Sequence, residues 1–215
     1  MINSKTLIKI CGITSIDQAL QIAELGVDAI GIISVKESPR YVPAIRKKEI
    51  FRSLEKFFPN IKRVSVVKNF LLKDDIKDFI DYENVLQLHG DEDIKYCKNL
   101  RIDIPQIELW KAFRIKTHQD VRKISSFTKY VDAVLLDSWN KETYGGSGIR
   151  IRRELLGNIS INKQWWLAGG ISNDWVQEII KEIQPDGLDI SSSIEKYPGI
   201  KDIEKIKKLL KEIRK

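Results

Sequence analysis

Two cysteines, two histidines and one methionine stand among 215 residues, and this scarcity already excludes several protein classes. Cys11 and Cys97 lie far apart in unlike surroundings, so no disulfide framework is expected and a reducing compartment fits. Long apolar runs are missing. No segment approaches the ~20 residues of a membrane span, and the opening MINSKTLIKIC has too short an apolar run for a signal peptide and no small-residue cleavage site. A cytoplasmic protein without a membrane partner is expected. Linkers, low-complexity stretches and repeats are lacking too, so residues 1–215 read as one domain, and an apolar fraction of 42% suffices for a core.

Positive charge is in excess, at +7, yet the pattern is wrong for nucleic acid. The last fifteen residues, KDIEKIKKLLKEIRK, hold seven basic and three acidic side chains, which leaves +3 on the other 200. Ile203, Ile206, Leu210 and Ile213 recur at helical spacing, so the lysines of this segment read as the solvated back of an amphipathic helix. No aromatic side chain interleaves with them, as single-strand binding would want. No nucleic-acid partner is expected, and the charge supports a modest attraction for anionic small molecules.

What is present is an alternation of two periods. Leu7, Ile8 and Ile10 read as a short buried strand, Gly12 as a turn, and Thr14 with Asp17 as a helix N-cap pair. Ile16, Ala19, Leu20 and Ala23 then share one helical face, closed by Gly26 as a C-cap glycine. VDAIGII at 27–33 is apolar throughout, as a strand covered on both faces should be. A helix follows from Pro43, placed near its first turn, to Phe58. Further strands are read at 63–69, at 85–88, within 105–115, and at 133–138, 165–170 and 187–191. Helices are read at 71–82, 94–100, 117–127, 150–156 and 176–183, then in the basic tail. Eight strands, each followed by a helix, predict an α/β fold, a single-domain (β/α)8 TIM barrel, with a doubly wound open sheet as the alternative.

In such a barrel, ligands meet the residues just after each strand. Those positions hold Cys11, Arg40, His89, Asp137, a glycine loop at 145–148 that includes Gly146, the pair Gly169 and Gly170, and Ser191, Ser192 and Ser193. Alone, Cys11 reads as a small buried hydrophobe; the company it keeps changes that. The glycine pair and the serines follow strands seven and eight, where barrels often hold a phosphate on main-chain amides.

KICGIT, SPRYV, QLHGDE, LLDS followed by YGGSG, LAGGIS, and LDISSSIE with PGIKD together resemble the ordered motifs of the phosphoribosylanthranilate isomerase family of tryptophan biosynthesis, over about residues 9–202. The resemblance implies an Amadori rearrangement of N-(5-phosphoribosyl)anthranilate to 1-(2-carboxyphenylamino)-1-deoxyribulose 5-phosphate, with no cofactor and no metal. It implies Asp137 as the acid that protonates the sugar ring oxygen and Cys11 as the base that takes a proton from the second sugar carbon. Arg40 would pair with the anthranilate carboxylate, and Gly146, Gly169, Gly170 and Ser191 to Ser193 would meet the phosphorylated sugar. His89 is placed at the mouth without a role. The partner is that small molecule, and the chain is expected to be a monomer or homodimer.

Each role carries a requirement. A free aspartate titrates near ~3.9 and a free cysteine near ~8.5, so an acid Asp137 must take up a proton and a basic Cys11 must reach its thiolate form. Lys9 is read as pointing away from Cys11 and taking no direct part. Ser193 stands where the family usually has glycine, which puts the backbone geometry of the phosphate seat in question. A metal-dependent epimerase would want two histidines and two aspartates at strand ends, and His118 lies within a helix; indole-glycerol-phosphate synthase would want a strand-end lysine in other motifs; a non-catalytic barrel would have no need of both proton handlers.

Overall fold

A computed structural model describes residues 6–69, 81–138, 150–157 and 159–215. Eight parallel strands close into a ring: β1 (Leu7–Cys11), β2 (Ala29–Ile33), β3 (Lys62–Val67), β4 (Val85–Leu88), β5 (Glu108–Ile115), β6 (Ala133–Ser138), β7 (Gln164–Ala168) and β8 (Gly187–Ile190). The ring closes where β8 pairs with β1, with Lys9 opposite Asp189 and Ile10 opposite Ile190. Strand side chains alternate between two faces, and the sequence obeys that rule around the whole ring. Ala29, Val64, Val66, Val85, Trp110, Ala112, Ala133, Leu135, Trp166 and Ala168 pack together inside. Their strand neighbours Ile8, Ile10, Ile30, Ile32, Leu86, Leu88, Val134, Leu136 and Leu167 pack outward against the helices.

The helices cover that outer face. They are α1 (Ile16–Glu24), α2 (Ala44–Phe57), α3 (Ile94–Asp103), α4 (His118–Lys123), α5 (Val176–Glu178) and α6 (Ile203–Ile213). Pro43 is the N-cap of α2, Asp93 accepts from the Tyr96 amide at the start of α3, and Thr117 and Asp120 form a capping box on α4. The tail helix α6 buries Ile206, Leu209, Leu210 and Ile213, each contributing about 1.5–3 kcal/mol when fully withdrawn from water. Arg214 then donates to the carbonyls of Leu25 and Gly26, tying the last helix to the end of the first. Among the described residues no helix is long and apolar enough to cross a membrane.

Several local expectations change. The N-cap of α1 is Ser15, whose hydroxyl accepts from the Gln18 amide, because Thr14 turns its hydroxyl to the Gly199 carbonyl at 2.7 Å. The expected helix at 150–156 is a single 3₁₀ turn at Arg153–Leu155, with Ile151, Leu155 and Leu156 as its apolar anchors. The helix expected at 176–183 starts as α5 and continues as a π-helical turn, Ile179–Ile183. It ends at Gln184, in a left-handed conformation before Pro185, which has no N–H to continue the helix. Two short strands, β9 (Glu195–Tyr197) and β10 (Ile200–Lys201), form an unexpected hairpin. Residues 71–80 of the helix expected at 71–82, and the glycine loop with Gly146, lie outside the described residues.

Trp110 and Trp166 stack inside the barrel with ring centroids 4.8 Å apart. Gly187 is the lateral partner of Trp166 on β8, and a Cβ there would collide with the indole ring. Gly187→Ala is therefore expected to lower stability by about 1–3 kcal/mol through overpacking, read as a lower urea midpoint at unchanged slope.

Candidate active site

The carboxyl ends of the strands surround a cavity of about 380 Å³. Cys11 is the last residue of β1, Asp137 the penultimate residue of β6, and His89 follows β4 directly. Arg40 comes from the loop after β2, Gly169 and Gly170 follow β7, and Ser191 to Ser193 follow β8. All of them border this one space. By the ring order, β1 and β6 are three steps apart through β8 and β7, so the thiol and the carboxyl stand across the opening. Among the described residues no cluster of three or more His, Cys, Asp or Glu side chains could hold a metal ion.

On the carboxyl side, Asp137 is 3% exposed and accepts from the Ser138 amide through Oδ1. Its Oδ2 lies 3.2 Å from His89 Nε2. The Gln87 amide sits 3.0 Å from His89 Nδ1, and as assigned it donates there, which leaves the ring proton on Nε2, facing the carboxylate. Gln87 thus sets the tautomer of the imidazole beside Asp137. Strand periodicity offered the signal, since Gln87 precedes His89 by two residues and faces the same way.

On the thiol side the sequence reading of Lys9 is corrected. Residues two apart on a strand share a face, so Lys9 and Cys11 both point inward. Lys9 is fully buried and its Nζ lies 2.8 Å from Asp189 Oδ1. Burial pushes the Cys11 thiol above its ordinary range, while the charges of Lys9 and Lys201 pull it down and that of Asp189 adds to the rise. Desolvation works against the Lys9 ammonium, but Asp189 and Cys11 together hold its pKa above the usual lysine range. Its charge persists.

Arg40 is 8% exposed and folds over Gly12, where a Cβ would stand 2.6 Å from its Cδ. Nε and Nη2 donate to the two oxygens of Glu195 at 2.9 and 2.7 Å, a fork that takes two of the five N–H donors of the guanidinium. Glu195 also accepts from Lys201 Nζ at 2.8 Å and from the Gly199 amide at 3.1 Å. Lys201 is 4% exposed, so it leaves the solvated set assigned to the tail: it belongs to β10 and points into this network. Neither Glu195 nor Lys201 was singled out from sequence, since the hairpin that carries them has too few residues for a strand pattern.

Two glycines and three serines border the cavity after β7 and β8. Gly169 and Gly170 have φ of 89° and 61°, in the left-handed region that glycine tolerates and a Cβ resists. Ser193 has no positive φ, so serine there carries no backbone strain. Ser191 is differently engaged from the expected free hydroxyl: its Oγ donates to the Cys11 carbonyl at 3.1 Å, and its own carbonyl accepts from Lys201.

Strand ends that bring a thiol, a carboxyl, an imidazole and a glycine-lined turn to one opening define the class: a (β/α)8-barrel enzyme. A family model described as N-(5'phosphoribosyl)anthranilate (PRA) isomerase matches residues 8–212, and the chain belongs to that family. A curated N-(5'-phosphoribosyl)anthranilate isomerase of Synechococcus elongatus is 38% identical over 200 residues, 93% of this chain and 92% of the relative. That of Crocosphaera subtropica is 37% identical over 97% of this chain and 98% of its own. Among solved structures, the phosphoribosyl anthranilate isomerase of Thermus thermophilus superposes with a TM-score of 0.83 at 26% identity, covering 97% of this chain and 98% of that one. Another isomerase structure, in complex with reduced 1-(o-carboxyphenylamino)-1-deoxyribulose 5-phosphate, gives a TM-score of 0.78 at 28% identity over 97% and 98% of the two chains.

Burial works to raise the Glu195 carboxyl, but hydrogen bonds and charges from Arg40 and Lys201 hold it below the ordinary carboxylate range. A depressed folded value means that this group's stabilisation is complete above the unfolded value, about 4.3 for glutamate, and is lost as pH falls through the folded one. Glu195→Gln should leave two buried cations short of a counter-charge and cost about 3–5 kcal/mol at neutral pH. In denaturant titrations repeated down the acid range, the gap to the parent protein should narrow below about pH 4.3.

Proposed function

We propose that Cys11 and Asp137 are the base and the acid of the isomerisation, working across the cavity on N-(5'-phosphoribosyl)anthranilate. The chain is an isomerase of tryptophan biosynthesis; the assignment of residues to steps is the proposal. Asp137 gives its proton to the furanose ring oxygen, the carbon–oxygen bond at the first sugar carbon breaks, and the nitrogen lone pair forms an iminium ion. The Cys11 thiolate takes the proton from the second sugar carbon, and that bonding pair closes the carbon–carbon double bond as the iminium nitrogen recovers its electrons. The resulting enolamine tautomerises to the ketone product.

One observation carries this reading: the thiol and the carboxyl border the same cavity from opposite sides of the ring. His89 hydrogen-bonds the carboxyl and helps to hold it at the cavity. Arg40, on the same opening, takes the anthranilate carboxylate with the N–H donors that Glu195 leaves over. The phosphate goes to the amides around Gly169, Gly170 and Ser191 to Ser193, and Gly146 is kept in the proposed set of substrate-binding residues. The relative that carries a phosphorylated product analogue supports such a seat. The reading includes a single domain over 1–215, a monomer or homodimer, and a cytoplasmic setting, which suits the free thiols of Cys11 and Cys97.

General acids and bases typically contribute ~10²- to 10⁴-fold. Cys11→Ala and Asp137→Ala should each lower kcat by about that factor with the circular dichroism spectrum unchanged, measured as the loss of anthranilate-type fluorescence with substrate. Either variant turning over at the parent rate removes its residue from the mechanism. Growth of a tryptophan auxotroph lacking this isomerase, on expression of the chain, tests the activity as a whole.

A further inference from the structure

The barrel interior is apolar along most of its length, and Lys9 and Asp189 stand within it as a buried ion pair across the seam of β1 and β8. Packing alone would place hydrocarbon there, since replacing such pairs with apolar residues is often neutral or stabilising. Their location supplies another reason. Lys9 and Cys11 face the same way, and both lie against Gly31 of β2: a Cβ on Gly31 would stand 2.8 Å from Cys11 Sγ and 3.1 Å from Lys9 Nζ. Glycine at that position lets the ammonium and the thiol approach each other over a bare Cα. Asp189 reaches the cavity as well, so the ion pair closes the floor beneath the thiol.

We infer that Lys9, anchored by Asp189, is the positioning residue that brings the Cys11 thiolate within reach during turnover. A thiol at the buried end of a strand would otherwise stay protonated, because low-dielectric surroundings disfavour the anion. The fixed ammonium, beside the sulfur over Gly31, offsets part of that penalty through its charge. It donates no proton to substrate. When the thiolate takes the proton from the second sugar carbon, the S–H bond forms while Lys9 remains an ammonium, held so by Asp189. Asp189 has two opposed effects: it fixes Lys9, and its negative charge disfavours a second anion at Cys11.

This rests on Cys11 being the base, but its test reads the thiol directly and is independent of turnover. The rate of iodoacetamide alkylation at Cys11 is followed against pH by peptide mass spectrometry, with Cys97 as the internal reference: that thiol is fully buried and pushed up to about 12. Lys9→Met should raise the Cys11 midpoint by about one pH unit or more, slowing alkylation at pH 7 about tenfold. Asp189→Asn should move the midpoint the other way. The rising limb of kcat/KM against pH should follow both shifts. The double variant Lys9→Met/Asp189→Asn leaves no unpaired charge in the core, so it keeps the fold where Lys9→Met alone does not, and its midpoint should stay high. A midpoint unmoved in folded Lys9→Met or in the double variant, or moved in the same direction by Lys9→Met and Asp189→Asn, overturns the inference. Parent-like turnover in Cys11→Ala would instead overturn the role of base and leave the alkylation result standing.

Discussion

The seam where β8 meets β1 carries a buried ion pair on which the site depends. An ammonium and a carboxylate removed from water lose several kcal/mol of hydration each, and they regain it only if the pairing geometry is maintained. Here the register fixes it: Lys9 and Asp189 are Cα partners across adjacent strands, so closing the ring and forming the ion pair are one event. A one-residue slip at this seam would turn one of the two side chains to the helix-covered face and leave the other buried without its partner. The pair thus specifies register at the point where a cylindrical sheet must choose it. The same register sets the thiol of Cys11 and the serines after β8 beside each other, with Ser191 bonded to the Cys11 carbonyl.

A second brace lies above the first. The hairpin of β9 and β10 pairs no strand of the barrel, yet it carries Glu195 and Lys201, which grip Arg40 from the far end of the chain. Arginine is suited to this because its planar fork engages a carboxylate with two parallel bonds and retains further donors. Lysine in the same place would satisfy Glu195 as a point charge and leave no fixed direction for a ligand. Two cations share one carboxylate, so the cluster carries surplus positive charge at an opening read as taking a phosphate and a carboxylate. The chain's modest overall charge says less about its ligand than this local excess.

The eight strands were legible because their signal is redundant. Each is a short apolar run, β-branched in several cases, bounded by turn residues, and the reading at 85–88 and 133–138 coincides with the observed ends. Helices with a regular apolar face were legible for a related reason. The segments that departed are those where one local contact outweighs periodicity: Thr14 drawn away to Gly199, Pro185 ending a helix in a π turn, three apolar anchors fixing residues 151–156 without a full helix. In the site, the residues at strand ends could be read from position alone. Lys9 was misread although the period of two placed it beside Cys11, and Asp189 was passed over as part of an apolar strand. A charged residue at an inward position of an otherwise apolar strand was the signal for both. Glu195 and Lys201 gave no comparable sign, because their partners are distant in sequence and only the folded ring brings them together.

The two thiols show why burial by itself does not assign chemistry. Cys11 and Cys97 are both buried, and desolvation raises both above the ordinary cysteine range. Cys97 sits on the inner side of α3 among leucines and isoleucines. Lys111 draws its pKa downward while Glu92 and Asp93 oppose that pull, and the thiol remains an inert filler of the helix–sheet interface. Cys11 borders a cavity, with two lysines pulling against its desolvation and one carboxylate adding to it. A nucleophile or base needs the anion to be attainable and a reactant to be within reach. Position on the strand supplies the reach, and the cation two residues earlier on the same strand offsets part of the desolvation of an anion there. The five residues of β1 therefore carry both the thiol and its cation, with Gly31 on the neighbouring strand leaving the space in which they meet.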